Sequence, residues 1–351
     1  MRKKISILLA GLIGLGMVTG CSKTVNSGFE GTYWLEAPSV SDVENGFYEK
    51  TRYNVSSIEN DDYAPKLYEI NDNYLNFFVD EAKSSYETEL EAVNGYYVYK
   101  TKLVIYGKYV YGTDGVYEVE GDVTETETVF KGKKDGFACV KSVKKVKNTY
   151  PVEQAPATAD DFVTVGAEFT IDYAEKNATL TAKGADERSA KLLSALSEPV
   201  KIKKYNKKAY MDNELMLLLF RNFRYENTLT YTFSTIEWST GALKEIIGSA
   251  KLDTVASSSD ANKTSAIKSM VVSCNIDNVR KERSFNTFGV TFKTTGEFAQ
   301  SFAHVFYANS IGDDVADLDN NSRHYMVKCY TPAIYNVGYI VYTLDTVSHT
   351  K

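Results

Sequence analysis

Residues 85–106, with the sequence SYETELEAVNGYYVYKTKLVIY, decide the fold class of this 351-residue chain. At their centre, Asn94-Gly95 is the dipeptide that most strongly favours a two-residue hairpin turn. Pairing outward from this turn sets apolar residues opposite apolar ones and acidic residues opposite basic ones: Ala92 with Tyr97, Leu90 with Tyr99, Tyr86 with Leu103, Glu89 with Lys100 and Glu87 with Lys102. A helix over residues 76–93 is the alternative, but the match on both faces favours an antiparallel hairpin.

Strand and turn signals continue on both sides of this hairpin. Asp114-Gly115 separates two short alternating stretches and predicts a second hairpin turn. We therefore expect residues 29–148 to form an antiparallel β domain, a meander of barrel-like character. Residues 149–160 carry two Pro and several small residues, and we interpret them as a linker.

The remainder, residues 161–351, shows mixed patterns that predict an α+β domain. Asp186 can cap a short helix, and residues 215–224 are predicted as a strand. Two further helices are expected from their apolar residues, one with Leu243, Ile246 and Ile247 and one with Phe298, Phe302, Val305 and Phe306. The predicted class is thus β-rich and mainly antiparallel, with an N-terminal β-meander or barrel-like domain followed by an α+β domain.

Composition excludes several classes of protein. With 43% hydrophobic and 25% charged residues, the chain is neither disordered nor collagen-like nor a polytopic membrane protein. Four Cys are too few for a disulfide-dense scaffold, and three His argue against a His-rich metal site. Gly-x-Ser-x-Gly, His-Glu-x-x-His, Walker and Cys-x-x-Cys motifs are absent, so the sequence leans away from an enzyme and implies no cofactor.

The N-terminal 21 residues, MRKKISILLAGLIGLGMVTGC, have the layout of a signal peptide. Three basic residues at positions 2–4 precede an apolar stretch that is too short for a comfortable transmembrane helix. The following Val18-Thr19-Gly20-Cys21 resembles the lipobox of bacterial lipoproteins. That resemblance implies removal of residues 1–20, a diacylglyceryl group on Cys21, and residues 21–28 as a short tether. An ordinary secretory signal with a chance Cys is the alternative.

This anchor carries most of the functional expectation. We expect an extracytoplasmic lipoprotein, anchored by lipid to the bacterial cell membrane or envelope, of non-enzymatic binding type. Its ligand would be a small molecule, an envelope component or a protein partner. A structural or assembly lipoprotein without a small-molecule pocket is the first alternative, and a carboxylate-based hydrolase is the second. Nucleic acid is not an expected partner, because the chain is extracytoplasmic and its net charge is −6.

One acidic segment has the spacing of metal ligands. Asp317, Asp319 and Asn321 are spaced like the first three ligands of a calcium loop. Ser322 replaces the expected Gly and Lys328 replaces the expected Glu, which excludes a true EF-hand. A looser calcium loop and a solvated acidic loop are the two remaining interpretations.

Tyrosines and cysteines supply two further candidates. Five tyrosines crowd adjacent predicted strands and could form a ligand platform or simply pack: Tyr96, Tyr106, Tyr109, Tyr111 and Tyr117. Cys274 and Cys329 each alternate with apolar residues on a predicted strand. They are either free buried thiols or a disulfide, which the extracytoplasmic compartment would permit.

Lysines are concentrated in two segments. Residues 131–147 and 201–208 together hold twelve Lys and one Asp. A solvated strand face is the plain interpretation of such a run. The functional one is contact with anionic lipid or an anionic envelope polymer, which requires that the lysines point outward.

Overall fold

The computed structural model describes residues 48–349 apart from 59–74, 133–134, 136, 154, 175–176, 204, 206–210, 223–228, 252–267, 296–300, 312–322 and 334–337. Two short α-helices in this part of the chain are α1 (Glu187–Leu192) and α2 (Asn213–Leu219). Its strands are β1 (Tyr48–Ile58), β2 (Leu75–Val79), β3 (Ser85–Val93), β4 (Tyr96–Tyr111), β5 (Gly115–Phe130), β6 (Cys139–Pro151), β7 (Phe162–Ala174), β8 (Asn177–Gly184), β9 (Val200–Lys201), β10 (Leu229–Ile236), β11 (Leu243–Lys251), β12 (Lys268–Ile276), β13 (Val279–Thr294), β14 (Ser301–Ile311), β15 (Met326–Pro332) and β16 (Tyr339–His349).

The hairpin predicted from residues 85–106 is confirmed in its register. Leu90 of β3 lies opposite Tyr99 of β4, and the other four predicted pairs are also present. Asn94 and Gly95 have φ angles of 50° and 79°, the left-handed values that this tight turn requires. The second predicted turn is confirmed as well, since β4 and β5 pair across Asp114.

All strands of the described residues belong to one sheet, part of which closes into a barrel. Strands β12 to β16 pair in succession through antiparallel ladders. The ring closes where β12 pairs in parallel with β16 at Asn275 and Ile276. Strand β1 pairs with β16 on one side and β3 on the other, and so joins this five-stranded barrel to the meander β3–β8. The β-rich, mainly antiparallel class is confirmed, and the closed ring lies in the C-terminal part of the chain.

The predicted linker contains the connection between two paired strands. Strand β6 continues to Pro151, and β7 begins at Phe162. The two strands pair from Lys141 opposite Asp172 to Pro151 opposite Phe162. Residues 149–160 therefore include the end of β6 and the turn that leads into β7. The division of the chain into two domains stays a prediction.

Three local predictions in the C-terminal half are wrong. Residues 243–251 form strand β11, and residues 301–311 form β14, where helices were expected. Residues 213–219, expected to be a strand, form helix α2. Strand β14 is covered on both faces, since Ala303 to Ala308 are all buried, so it lacks the polar–apolar alternation of a half-exposed strand. The cap at Asp186 is confirmed, because its carboxylate accepts a hydrogen bond from the Ser189 N–H at 2.7 Å.

Helix α2 lies at the centre of the core. Leu215 and Phe220 are almost fully buried, in one apolar cluster with Tyr99 from the meander and Phe292 from the barrel. A second cluster joins β7 and β8 to the end of β10, where the rings of Phe169 and Trp238 meet edge to face. The sheet therefore curls around α2 with its inner face and leaves the outer face of β3–β7 to solvent.

Candidate binding groove

The outer face of the meander contains a groove of about 620 Å³ that crosses β1 and β3–β7. Its lining is polar apart from one side chain, Val143. Along each strand successive side chains point to opposite faces, so the charged side chains point into the groove and the threonines between them contribute only to its floor. The lining residues are Lys50, Glu87, Thr88, Glu89, Lys100, Thr101, Lys102, Glu125, Thr126, Glu127, Val143, Lys145 and Glu168. We refer to this set as the groove.

Each lysine of the groove is ion-paired with a carboxylate. The distances are 3.2 Å for Lys50–Glu87, 2.7 Å for Lys100–Glu91, 2.7 Å for Lys102–Glu125 and 3.6 Å for Lys145–Glu168. The hydrogen bonds that Lys100 and Lys102 donate to their carboxylate partners raise the pKa of both lysines. Since all these side chains are partly exposed, each pair contributes only about 0–1 kcal/mol to stability. A charged ligand can therefore exchange partners with them at little cost.

Two carboxylates of the groove stand apart from these pairs. Lys100 of β4 has Glu89 of β3 opposite it on one side and Glu127 of β5 opposite it on the other. Neither makes an ion pair shorter than 4 Å with any residue that the structure describes. Two strand spacings, about 9–10 Å, separate their backbones. The groove thus presents two carboxylates that can receive cationic groups from outside the chain.

A hydrogen-bonded layer on the inner face supports the groove from behind. The hydroxyls of Thr51 and Thr88 are in contact, and those of Thr101 and Thr126 are 2.7 Å apart. These short β-branched side chains suit a strand and leave room for α2 beneath the sheet. Because their cross-strand contacts link β1 to β3 and β4 to β5, they hold the outward residues of the groove at fixed spacing.

Helix α2 is fastened to the same strands by buried polar contacts. Asp212 caps the helix, and its carboxylate also accepts hydrogen bonds from Ser142 at 2.7 Å and Tyr173 at 2.6 Å. Burial raises the pKa of this carboxyl. Two residues after Asp212, Glu214 forms a largely buried ion pair with Lys144 at 2.7 Å. With every oxygen of Asp212 engaged, this cluster is an anchor for the helix rather than a reactive site.

A second buried ionic cluster lies where β1 meets the barrel. Glu49 is 2% exposed and ion-paired with Arg221 at 2.7 Å and with Arg323 at 3.3 Å. Burial alone acts to raise the pKa of Glu49, but the two guanidinium groups outweigh it and hold that pKa below its ordinary value. The Arg221 guanidinium also lies over the ring of Tyr325, 5.4 Å from its centre.

The five predicted platform tyrosines do not share one surface. Three of them gather around Phe162 at 4.3–5.2 Å between ring centres, and two of these three, Tyr109 and Tyr111, are buried. Tyr106 is half-buried and lies 5.9 Å from the Lys83 ammonium. Tyr96 is exposed at the Asn94-Gly95 turn. None of the five lines the groove.

Of the two interpretations of Cys274 and Cys329, free buried thiols or a disulfide, the structure shows free thiols. Both thiols are buried, and Cys139, which is half-buried, is free as well. Strands β12 and β15 pair with opposite edges of β16, so two strand spacings of about 9–10 Å lie between their backbones. A disulfide needs Cα atoms about 4.4–6.8 Å apart.

The β6 lysines divide between the two faces of the strand. Lys141, Lys145 and Lys147 point outward as expected, whereas Lys144 points inward to Glu214. The outward lysines also have acidic neighbours, as Lys145 has in Glu168. Residues 201–208 are described only in part. Contact of the two lysine-rich segments, residues 131–147 and 201–208, with anionic lipid or an envelope polymer stays a prediction.

Several sequence candidates lie outside the described residues. They are the lipobox Cys21 and the calcium-loop candidates Asp317, Asp319 and Asn321. Within the described part of the chain, no group of three His, Cys, Asp or Glu side chains is placed to hold a metal ion. No helix in that part combines the length and apolar character that crossing a bilayer requires.

Comparison of the chain with family models, curated proteins and solved structures finds no match. The sequence alone did not identify the groove residues as a site, although their Glu–Lys alternation is visible in it. The Glu–Lys alternation that sets the hairpin register also lines the groove, and that alternation was interpreted only as cross-strand pairing.

Proposed function

We propose that this protein is a membrane-anchored extracytoplasmic lipoprotein of non-enzymatic binding type, and that the groove is its ligand site. The resemblance of Val18-Thr19-Gly20-Cys21 to a lipobox supports the anchor. The observation that carries the binding role is the pair of carboxylates, Glu89 and Glu127, that face the groove outside its ion pairs. A site of this kind binds without reaction, by exchanging water and internal ion pairs for ligand contacts.

The lining selects the chemical class of the ligand. With a single apolar side chain, Val143, the groove has little to offer a lipid tail or a sterol. Its carboxylates favour ammonium or guanidinium groups, and its lysines can donate hydrogen bonds to carbonyl oxygens between them. We therefore expect an extended polar chain with two positive groups, such as a segment of basic peptide.

Calorimetric titration of the chain with short extended peptides tests this proposal. A peptide with two lysines two positions apart, which lie on one face of an extended chain, should bind, and binding should weaken as salt is raised, because the contacts are partly exposed. The matched peptide with two glutamates should not bind. Equal binding of both peptides, or binding of neither, would contradict the proposed ligand class.

Charge-removing variants locate the binding. Glu89→Gln and Glu127→Gln each remove one proposed ligand contact and should weaken the lysine peptide about two- to fivefold, the range of an exposed charge pair. Glu118→Gln is the matched control, since it removes an exposed carboxylate from the same strand, β5, outside the groove. An equal loss in all three variants would show a general effect of net charge instead of a site.

A further inference from the structure

The described chain begins at one end of the sheet. Tyr48, the first residue of β1, lies opposite Glu91 of β3. Two residues beyond Glu91 comes Val93, which pairs with Tyr96 across the Asn94-Gly95 turn. The β3–β4 turn therefore projects just past the point at which β1 starts.

A second turn lies at the same end, on the other side of β1. Glu49 pairs with His349 of β16, and Val347 of β16 pairs in parallel with Ile276, the last residue of β12. Ile276 in turn pairs with Val279 across the turn into β13. The strands β3, β1, β16, β12 and β13 are consecutive neighbours, so the two turns lie about 20 Å apart along this end.

Both turns expose apolar side chains. Val93, Tyr96 and Val279 are 38%, 39% and 55% exposed, and they make up three of the five large apolar side chains that are exposed in the described part of the chain. The other two lie elsewhere: Val116 is at the opposite end of the β4–β5 hairpin, and Val271 is within β12. We call this end of the sheet, at which β1 begins with Tyr48 and the two turns expose Val93, Tyr96 and Val279, the apolar rim.

We propose that the apolar rim rests on the surface of the lipid bilayer, with Val93, Tyr96 and Val279 at the level of the headgroups. This inference rests on the proposed anchor at Cys21, because the described part of the chain begins at the rim, with Tyr48. A tyrosine ring with its hydroxyl suits the bilayer interface, where one part of the side chain is apolar and the other wet. Arg280 follows Val279 directly, and its exposed guanidinium is ion-paired with Asp345 at 2.6 Å, so one cationic group lies next to the rim in an exposed pair.

The anchor alone does not impose this orientation. The number of residues between Cys21 and Tyr48 sets an upper limit of about 90 Å on the distance between them, which is long enough for any face of the fold to reach the membrane. The anchor instead keeps the fold at high effective concentration near the bilayer, so that a few weak apolar contacts suffice to select the face that docks. The chain joins the fold at the end where those apolar contacts are concentrated.

Tryptophan probes test the docking in the anchored protein. Tyr96→Trp and Val279→Trp place a fluorophore at the rim, and Val116→Trp is the matched control at an equally exposed turn on the opposite end. After reconstitution of the anchored full-length product into vesicles that contain brominated phosphatidylcholine, we expect quenching of the two rim probes and none of the control beyond the unsubstituted protein. Equal quenching at all three positions, or quenching at Val116 alone, would overturn the proposal.

A second measurement separates the contribution of the apolar rim to membrane binding from that of the lipid anchor. The mature chain from residue 21, with Cys21→Ser, is mixed with vesicles of phosphatidylcholine and phosphatidylglycerol and sedimented. We expect weak binding that falls about tenfold, or 1.4 kcal/mol, when Val93, Tyr96 and Val279 are all replaced by Ser. The control pair Val116→Ser and Val271→Ser should leave it unchanged. Equal binding by both variants would refute the rim whether or not Cys21 carries lipid.

Discussion

The carboxylate of Glu49 accepts hydrogen bonds from both terminal nitrogens of Arg221, at 2.7 and 3.1 Å, across 172 residues of sequence. Glu49 lies on β1, which joins the meander to the barrel, and Arg221 lies in the short turn of helix, Phe220–Asn222, that follows α2. The Arg221 Nε–H also donates to the backbone oxygen of Arg323, just before β15. One buried carboxylate therefore holds the helix, the joining strand and the barrel together.

Removal of this charge should be costly. Glu49→Gln leaves two buried guanidinium groups without their counter-charge, and we expect a loss of about 3–5 kcal/mol in the free energy of unfolding. The control is Glu125→Gln, which breaks the exposed Lys102–Glu125 pair and should cost about 1 kcal/mol or less. Urea denaturation of both variants gives the comparison. Similar losses would mean that the Glu49 cluster is not a central support.

The two faces of the β3–β4 hairpin should respond differently to substitution. Leu90 is 2% exposed within the main core, so Leu90→Ala should destabilise the protein by about 2–5 kcal/mol. Its neighbour Glu89 faces the groove, and Glu89→Lys should cost about 0.2–1 kcal/mol through like-charge contact with Lys100. Thermal unfolding of the two variants would refute the assigned facing if the losses were equal.

Asp122 should make the protein less stable as the pH rises. Burial raises the pKa of its carboxyl to about 6, against the opposing effect of the Thr149 N–H, which donates to it at 2.7 Å. Because the folded pKa lies above the unfolded value near 4, the folded state binds this proton more tightly. The stabilising contribution is complete below about pH 4 and is lost as the pH rises through about 6.

Asp122→Asn tests this linkage. The variant cannot ionise at this position, so it should lack the decline in stability between about pH 4 and 6 and gain about 1–3 kcal/mol at neutral pH. Urea unfolding across this pH range measures the effect, with Asp172→Asn at an exposed position of β7 as the control. The same pH dependence in wild type and Asp122→Asn would show that Asp122 is not the group responsible.

Local pairing rules predicted the meander because its strands are buried on one face only. In β3 and β4, apolar pairs and charge pairs alternate, so one register satisfies both faces. In β14 that information is missing, because Val305 faces one side and Phe306 the other and both are buried. Helix α2 is likewise apolar around most of its circumference, because it is buried on nearly all sides. The Asp212 cap and the run of Leu and Met, which the strand prediction for residues 215–224 did not use, are sequence signals that favour this helix.

The candidate site depended on information that a single strand does not contain. The pattern of β6 shows lysines, but only the register with β5 and β7 shows that Lys145 lies between Glu125 and Glu168. Likewise, Glu89 and Glu127 lie close together only because β3 and β5 both pair with β4 at Lys100. Closure of the barrel through β12 and β16 is a long-range parallel contact that no local turn signal specifies.

The most direct test of the central claim, a lipid-anchored binding protein, is the mass of the N-terminal peptide of the protein extracted from membranes. The proposal predicts that the chain begins at Cys21 and that its sulfur carries a diacylglyceryl group, with Cys21→Ala abolishing both the added mass and the membrane association. A chain that retains residues 1–20, or one that begins near this position with an unmodified Cys21, would contradict it.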